Sequence, residues 1–304
     1  MYKNRDLLLF ELWKTCKNYC TFCVDKFMKE SSESVKANFQ TFKERARNIK
    51  NVSAVGFLGG ELFDGSIEEL NIKQEFVEFL DILIEKVNEN QIGTLCITTN
   101  LIYPDSTEVK YYLDYLIKNG VPENKILITT SYDNKGRFNR PNSERWWKDN
   151  IEELKQLYPK IQYHCEFILT DNLCTAVLNK EFDLVAFLKW WNGSINFNQP
   201  YTGFKFISKE EFEKTSPGFF LKRKNFIGFC NYLKYNNIID ITKLFIGTNA
   251  GDETLMIEED YGKVVTRYRE FENDAMGRKE DDFGYIDSDK DIFEDIKRIA
   301  NADR

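Results

Sequence analysis

The chain has 304 residues, 42% of them hydrophobic and 30% charged, with a formal net charge of −7. That length supplies a sizeable core and room for one large domain or two, while the acidic balance argues against duplex nucleic acid as a partner. No apolar run approaches the roughly 20 residues that span a membrane, and the first residues carry no signal-peptide cleavage pattern, so the chain reads as cytoplasmic.

Asp6 to Trp13 (DLLLFELW) is a short apolar run that predicts a buried strand. It leads into Cys16-Lys-Asn-Tyr-Cys20-Thr-Phe-Cys23. Ser31 offers a helix N-cap, and Val35, Phe39, Phe42, Ala46 and Ile49 follow at helical spacing. Val52 to Leu58 predicts a strand ending in Gly59-Gly60-Glu61, and Ile72, Phe76, Leu80, Leu83 and Val87 mark the next helix. The alternation continues with a strand at Thr94 to Ile102, a helix at Thr107 to Lys118 stopped by Asn119-Gly120, and a strand at Lys125 to Ser131. A helix at Ser143 to Tyr158, a strand at Ile161 to Thr170, a helix at Phe182 to Trp191 and a strand at Ser194 to Pro200 complete the series.

Six strands alternating with helices predict an α/β fold with a parallel sheet. In such folds the site lies at the C-terminal ends of the strands, where this chain carries its polar and glycine-rich residues. Beyond Tyr201 the pattern changes. Lys222 to Tyr235 reads as a helix, Leu255 to Val265 as two short strands around a turn at Asp260-Tyr-Gly262, and about Asp291 to Ala300 as a last helix. No long linker separates this tail, which is expected to pack on the sheet.

The seven cysteines are an odd number for a disulfide framework, and three of them cluster. Thiolates spaced C-x3-C-x2-C on one loop converge on soft-metal chemistry, zinc or an iron–sulfur cluster. With three ligands and no fourth nearby, one coordination position stays open, as in reactive sites. A structural zinc would need a distant ligand such as His164, Cys96, Cys165, Cys174 or Cys230, and no second cysteine knuckle exists. Spacing favours a cluster and leaves both metals open.

The triplet, with Phe22 before its third cysteine, resembles the radical S-adenosylmethionine (radical SAM) superfamily. Further matches follow in order at strand ends: Gly59-Gly60-Glu61, Ile97-Thr-Thr-Asn100, Ser131-Tyr-Asp133, Phe167-Ile-Leu-Thr170 and Asn196-Phe-Asn198. The resemblance covers about residues 5–205 and implies a partial (β/α)6 barrel of parallel strands with a small C-terminal α+β extension. It implies a [4Fe–4S] cluster on Cys16, Cys20 and Cys23, with S-adenosylmethionine on the open iron. Gly59, Gly60 and Glu61 would meet the methionine ammonium, and Phe22 the adenine. Ser131 and Asp133, with Asn100 nearby, would face the ribose. Arg137 is the candidate for the methionine carboxylate, because a guanidinium forks onto a carboxylate; Arg140 and Arg145 compete for that role.

Read singly, these motifs are bland: Gly-Gly-Glu and Ser-x-Asp are common, and an isolated arginine is usually a surface residue. Their order raises them. His164 reads as a core histidine, Cys96 and Cys165 as small packing residues, and Trp146-Trp147 and Trp190-Trp191 as helix packing. Thr248-Asn-Ala-Gly251, Leu255 to Val265 and Met276-Gly277 resemble the SPASM/Twitch extension of peptide-modifying relatives. Thr248 and Arg267 stand where cluster cysteines would be, which implies a degenerate extension without its auxiliary cluster.

The expected division is a barrel over 1–205 and this extension over 206–304. The barrel starts within the first ten residues, so recognition of any leader peptide would fall to the tail or to a partner. The expected activity is reductive cleavage of S-adenosylmethionine and hydrogen abstraction from a peptide or small molecule, with a reductant such as flavodoxin or ferredoxin. Competing readings are a nucleoside or nucleic-acid base as substrate, and a non-catalytic metal-binding module.

Overall fold

The six series strands alternate with helices as their periodicities demand. The computed structural model describes residues 7–23, 30–198, 214–219, 221–238 and 255–257. The strands are β1 (Leu7–Glu11), β2 (Val52–Leu58), β3 (Ile92–Thr98), β4 (Ile126–Tyr132), β5 (Gln162–Ile168) and β6 (Ser194–Asn198). Each pairs in parallel with the next. A seventh strand, β7 (Leu255–Ile257), pairs in parallel with β1, giving the order β6-β5-β4-β3-β2-β1-β7. Among the described residues the edge strands β6 and β7 do not pair, so the sheet is open and the architecture matches a partial barrel.

The helices form where apolar stripes and caps coincide. They are α1 (Ser32–Arg47), the single turn α2 (Ser66–Glu69), α3 (Lys73–Asn88), α4 (Thr107–Lys118), α5 (Ser143–Leu157), α6 (Asp171–Leu178), α7 (Leu184–Trp191) and α8 (Arg223–Tyr235). Ser31 caps α1 by accepting from the Ser34 amide at 3.2 Å. The buried stripe of α1, Val35, Phe39, Phe42 and Ala46, faces the sheet beside Phe76, Phe79 and Leu83 of α3. Phe10 of β1 closes this cluster edge-on, 5.9 Å from Phe42 and 5.3 Å from Phe79 between ring centroids. At the other end Trp147 and Trp191 are buried and stacked at 6.1 Å, confirming the packing role expected of them.

Alternation along the strands gives the sheet two unlike faces. Phe10, Val55, Phe57, Ile97, Ile128 and Phe167 bury into the helices. The other face is partly exposed and mostly polar. Its register sets Thr98, Thr129, His164 and Ser194 in one row and Ser131 beside Glu166 in the next. His164 lies on this second face, partly exposed, its Nδ1 2.9 Å from Ser194 Oγ, rather than in the packed core. Cys165 packs fully buried as expected, whereas Cys96 faces the polar side.

Three elements differ from the periodicity reading. Thr170, read as the end of a strand, caps α6 through the Leu173 amide at 3.1 Å, and periodicity does not announce this short helix. Nor does it announce the single turn α2. Leu255 to Ile257, read as the first arm of a two-strand turn, adds to the main sheet beside β1. The second arm, the final helix at Asp291 to Ala300, Thr248 and Arg267 lie outside the described residues.

Candidate functional site

Beyond their last paired residues β1 and β2 remain zipped together. Leu12 donates to the Leu58 carbonyl (2.8 Å), Gly60 to Trp13 (2.7 Å) and Glu61 to Thr15 (3.0 Å). This seam holds the cysteine loop directly against Gly59-Gly60-Glu61. Gly60 is required there, because a Cβ would overlap the carbonyl oxygens of Lys14 and Thr15. The backbone of Gly60 thus packs directly on the backbone that leads into the cysteine loop. Trp13, buried beneath, donates its indole N–H to the Glu61 carbonyl at 3.0 Å.

Cys20 is buried, and Cys16 and Cys23 are partly exposed. Two sulfurs receive N–H donors from one residue: Asn18 donates its amide to Cys16 Sγ (3.4 Å) and its side-chain Nδ2 to Cys20 Sγ (3.0 Å). Asn100 Nδ2 lies 3.7 Å from Cys16 Sγ. Donors on sulfur stabilise thiolate ligands and tune the metal they hold. Burial is the main reason the Cys16 thiol is pushed well above its ordinary range, and the Glu61 and Asp64 carboxylates add to it. Without metal it is a neutral thiol, and a bound cation is what deprotonates such a group. Among the described residues no three His, Cys, Asp or Glu side chains converge on the point a single ion would occupy. Three thiols on one loop are soft donors whose chemistry fits an iron–sulfur cluster.

Glu61 is almost completely buried. Its Oε1 accepts from Thr99 Oγ1 (2.5 Å) and the Phe63 amide (3.1 Å), and its Oε2 from the Asn100 amide (2.5 Å). Burial raises its carboxyl from 4.5 to about 7, against the lowering effect of these donors. Among the described residues no ion pair supplies it with a cation. A buried, hydrogen-bonded carboxylate of this kind has the chemistry of an ammonium site. Asn100 joins the two centres, its amide on Glu61 and its Nδ2 toward Cys16.

The fourth strand supplies the other side. Ser131 lies on the polar face beside Glu166. Asp133, 2% exposed, turns inward instead. Its Oδ2 accepts from the amides of Lys135 (3.4 Å), Gly136 and Arg137 (3.2 Å), and its Oδ1 from Thr170 Oγ1 (3.2 Å). Its carboxylate therefore organises the 133–137 turn. Burial raises its carboxyl above the ordinary value, opposed by those same donors.

That turn meets the cysteine loop. Thr21 donates to the Gly136 carbonyl at 3.0 Å, and a Cβ at Gly136 would press on Phe22 and Thr21. Arg137 holds its guanidinium 6.0 Å from the Phe22 ring centroid, with a buried Nε that has no hydrogen-bond partner among the described residues. Arg140 donates to Asn18 Oδ1 at 3.2 Å. Arg145 is exposed on α5, 4.0 Å from Asp149, and points to solvent. Phe22 stacks on Phe219 at 5.4 Å. Beside this pair opens a cavity of about 140 Å³, lined in part by Thr21, Asp133, Gly136, Thr170 and Ser216.

No family model matches the chain, and no curated protein matches it in sequence. Among solved structures, hexahistidine-tagged anSMEcpe with bound AdoMet aligns with a TM-score of 0.57 at 15% identity, over 98% of this chain and 81% of that one. The two chains share a fold. The expected residues fall into two neighbouring groups: Cys16, Cys20, Cys23, Glu61 and Asn100 at the ends of β1 to β3, and Phe22, Ser131, Asp133 and Arg137 around β4. Sequence reasoning passed over Gly136 and Phe219, and assigned no role to Asn18 or Thr99 although both lie inside motifs it quoted, Asn18 between two cysteines and Thr99 beside Asn100.

Proposed function

We propose that this chain is a radical SAM enzyme. It would hold one [4Fe–4S] cluster on Cys16, Cys20 and Cys23 and act on a peptide or small molecule. The observation that carries the reading is Asn100, which reaches both Cys16 and the buried carboxylate of Glu61. An amino-acid ammonium beside the cysteine loop would fall within that carboxylate's reach. The AdoMet bound to the anSMEcpe chain of the same fold supports this assignment.

A cluster held by Cys16, Cys20 and Cys23 would supply one-electron reduction of S-adenosylmethionine and, through it, hydrogen abstraction from substrate. The chain's own residues do the rest. Glu61 receives the ammonium and becomes ionised as it does so. Arg137, cationic and with an orphaned Nε, takes the carboxylate. Ser131, on the polar face, takes a ribose hydroxyl, while Asp133 acts by shaping the turn that presents Arg137. Phe22 and the cavity beside Phe219 take the adenine, and the polar rows beyond Ser131 face the substrate. A donor such as flavodoxin or ferredoxin would supply the electron.

Anaerobic reconstitution with iron and sulfide tests the metal assignment. It should give about four irons per chain and a brown protein, and Cys20→Ala should lose both. A colourless chain with one zinc, unaffected by sulfide, would overturn the proposal.

A further inference from the structure

Asn18 is 1% exposed and uses every polar atom of its side chain. Its Nδ2 donates to Cys20 Sγ (3.0 Å) and to the Arg137 carbonyl (3.2 Å), and its Oδ1 accepts from Arg140 Nη2 (3.2 Å). Its backbone amide donates to Cys16 Sγ (3.4 Å). Two of the three cysteines thus receive N–H donors from one residue, which also ties their loop to the turn after β4.

The direction of the side-chain amide is fixed chemically. A guanidinium only donates, so the end of Asn18 that meets Arg140 must be its oxygen. The nitrogen is thereby turned onto Cys20 and the Arg137 carbonyl, both of which accept. Arg140, which from sequence competed with Arg137 for the methionine carboxylate, is committed to this orientation.

We infer that Asn18 is a positioning residue that sets the reduction potential of the cluster carried by Cys16 and Cys20, with Arg140 fixing its amide. The inference rests on the proposed function. An N–H donor on a ligand sulfur favours the more negatively charged, reduced state, so its loss makes reduction harder. Hydrogen bonds to charged groups are strong enough for a change of about tenfold in the reduction equilibrium, which is about 59 mV for one electron. Asn18 also links the metal loop to Arg137, so the same residue couples the cluster's electronics to the cationic wall of the site.

The test is a mediated redox titration of the reconstituted full chain, followed by electron paramagnetic resonance, with iron and sulfide assayed in every sample. Asn18→Asp, which replaces the donor by an acceptor and keeps a partner for Arg140, should retain iron and shift the midpoint downward by the equivalent of about tenfold or more. Arg140→Gln lets the amide turn over and should shift it in the same direction by less, while Arg140→Lys should restore it. An unchanged midpoint in Asn18→Asp with full iron would overturn the inference and leave the cluster assignment standing. If Asn18→Asp takes up no iron, Asn18→Gln decides: recovery of iron without recovery of the midpoint supports the inference, and a wild-type midpoint in Asn18→Ala overturns it. A wild-type chain that binds no cluster overturns the proposed function and this inference together.

Discussion

At the scale of single residues the clearest consequence lies with Glu61. Its carboxyl rises from 4.5 to about 7 because burial outweighs three hydrogen-bond donors. Between those values the folded chain keeps a proton that the unfolded chain has released. Folding stability of the metal-free protein therefore falls as pH rises through that window, by about 3 kcal/mol in total. Glu61→Gln removes the titration, so urea midpoints measured across the window should flatten relative to wild type. An equal slope in both proteins would mean that another group carries it. An ammonium bound beside Glu61 would reverse the shift, which makes the pocket a site that discharges a proton as it takes up a cation.

Residues also show where sequence legibility ends. Cys16, Cys20, Cys23 and Glu61 were singled out by their spacing and order along the chain, and the fold brings them to adjoining strand ends. Gly60 was readable as a close approach, but its partner was not, since Lys14 and Thr15 come beside it only through the seam between β1 and β2. Gly136 and Phe219 come against Phe22 only through tertiary contact, which no local pattern encodes. Asp133 looks in sequence like a ligand group and in three dimensions spends its carboxylate on its own turn and Thr170.

At the scale of elements, the strand-to-helix alternation was legible because both periodicities are strong where one face is apolar. Phe39 and Phe42 on α1, and Phe76 and Phe79 on α3, announce their helices. The helix α6 escaped because it has only eight residues and its cap, Thr170, continues the apolar run of β5. That cap does two jobs, holding the Leu173 amide and donating to Asp133 Oδ1. Thr170→Val keeps the shape and removes both, and should cost about 2 kcal/mol in urea unfolding while loosening the turn that carries Arg137. A loss of only a few tenths of a kcal/mol would show that the turn stands without it.

At the scale of the molecule, an open seven-stranded sheet puts a polar face on one side and the aromatic helix layer on the other. The ends of β1 to β4 gather a thiol-rich group and a cationic group along one edge, with Asn18 linking the two and Asn100 tying the thiols to Glu61. Among the described residues no helix is long and apolar enough to cross a membrane. Part of the 206–304 segment is bound to this body: Asn225 of α8 donates to Asp171 at 2.7 Å, and Phe229 meets Phe197 at 5.5 Å. These contacts accord with the expectation that the tail packs on the sheet, whereas the addition of β7 beside β1 was not legible, because a three-residue strand has too little pattern to declare its partner.

The most direct measurement is product analysis after anaerobic reconstitution, addition of S-adenosylmethionine and reduction with dithionite. The account predicts 5′-deoxyadenosine and methionine in equal amounts, abolished by Cys20→Ala and strongly reduced by Glu61→Gln. A chain that carries its cluster yet returns S-adenosylmethionine uncleaved would contradict it.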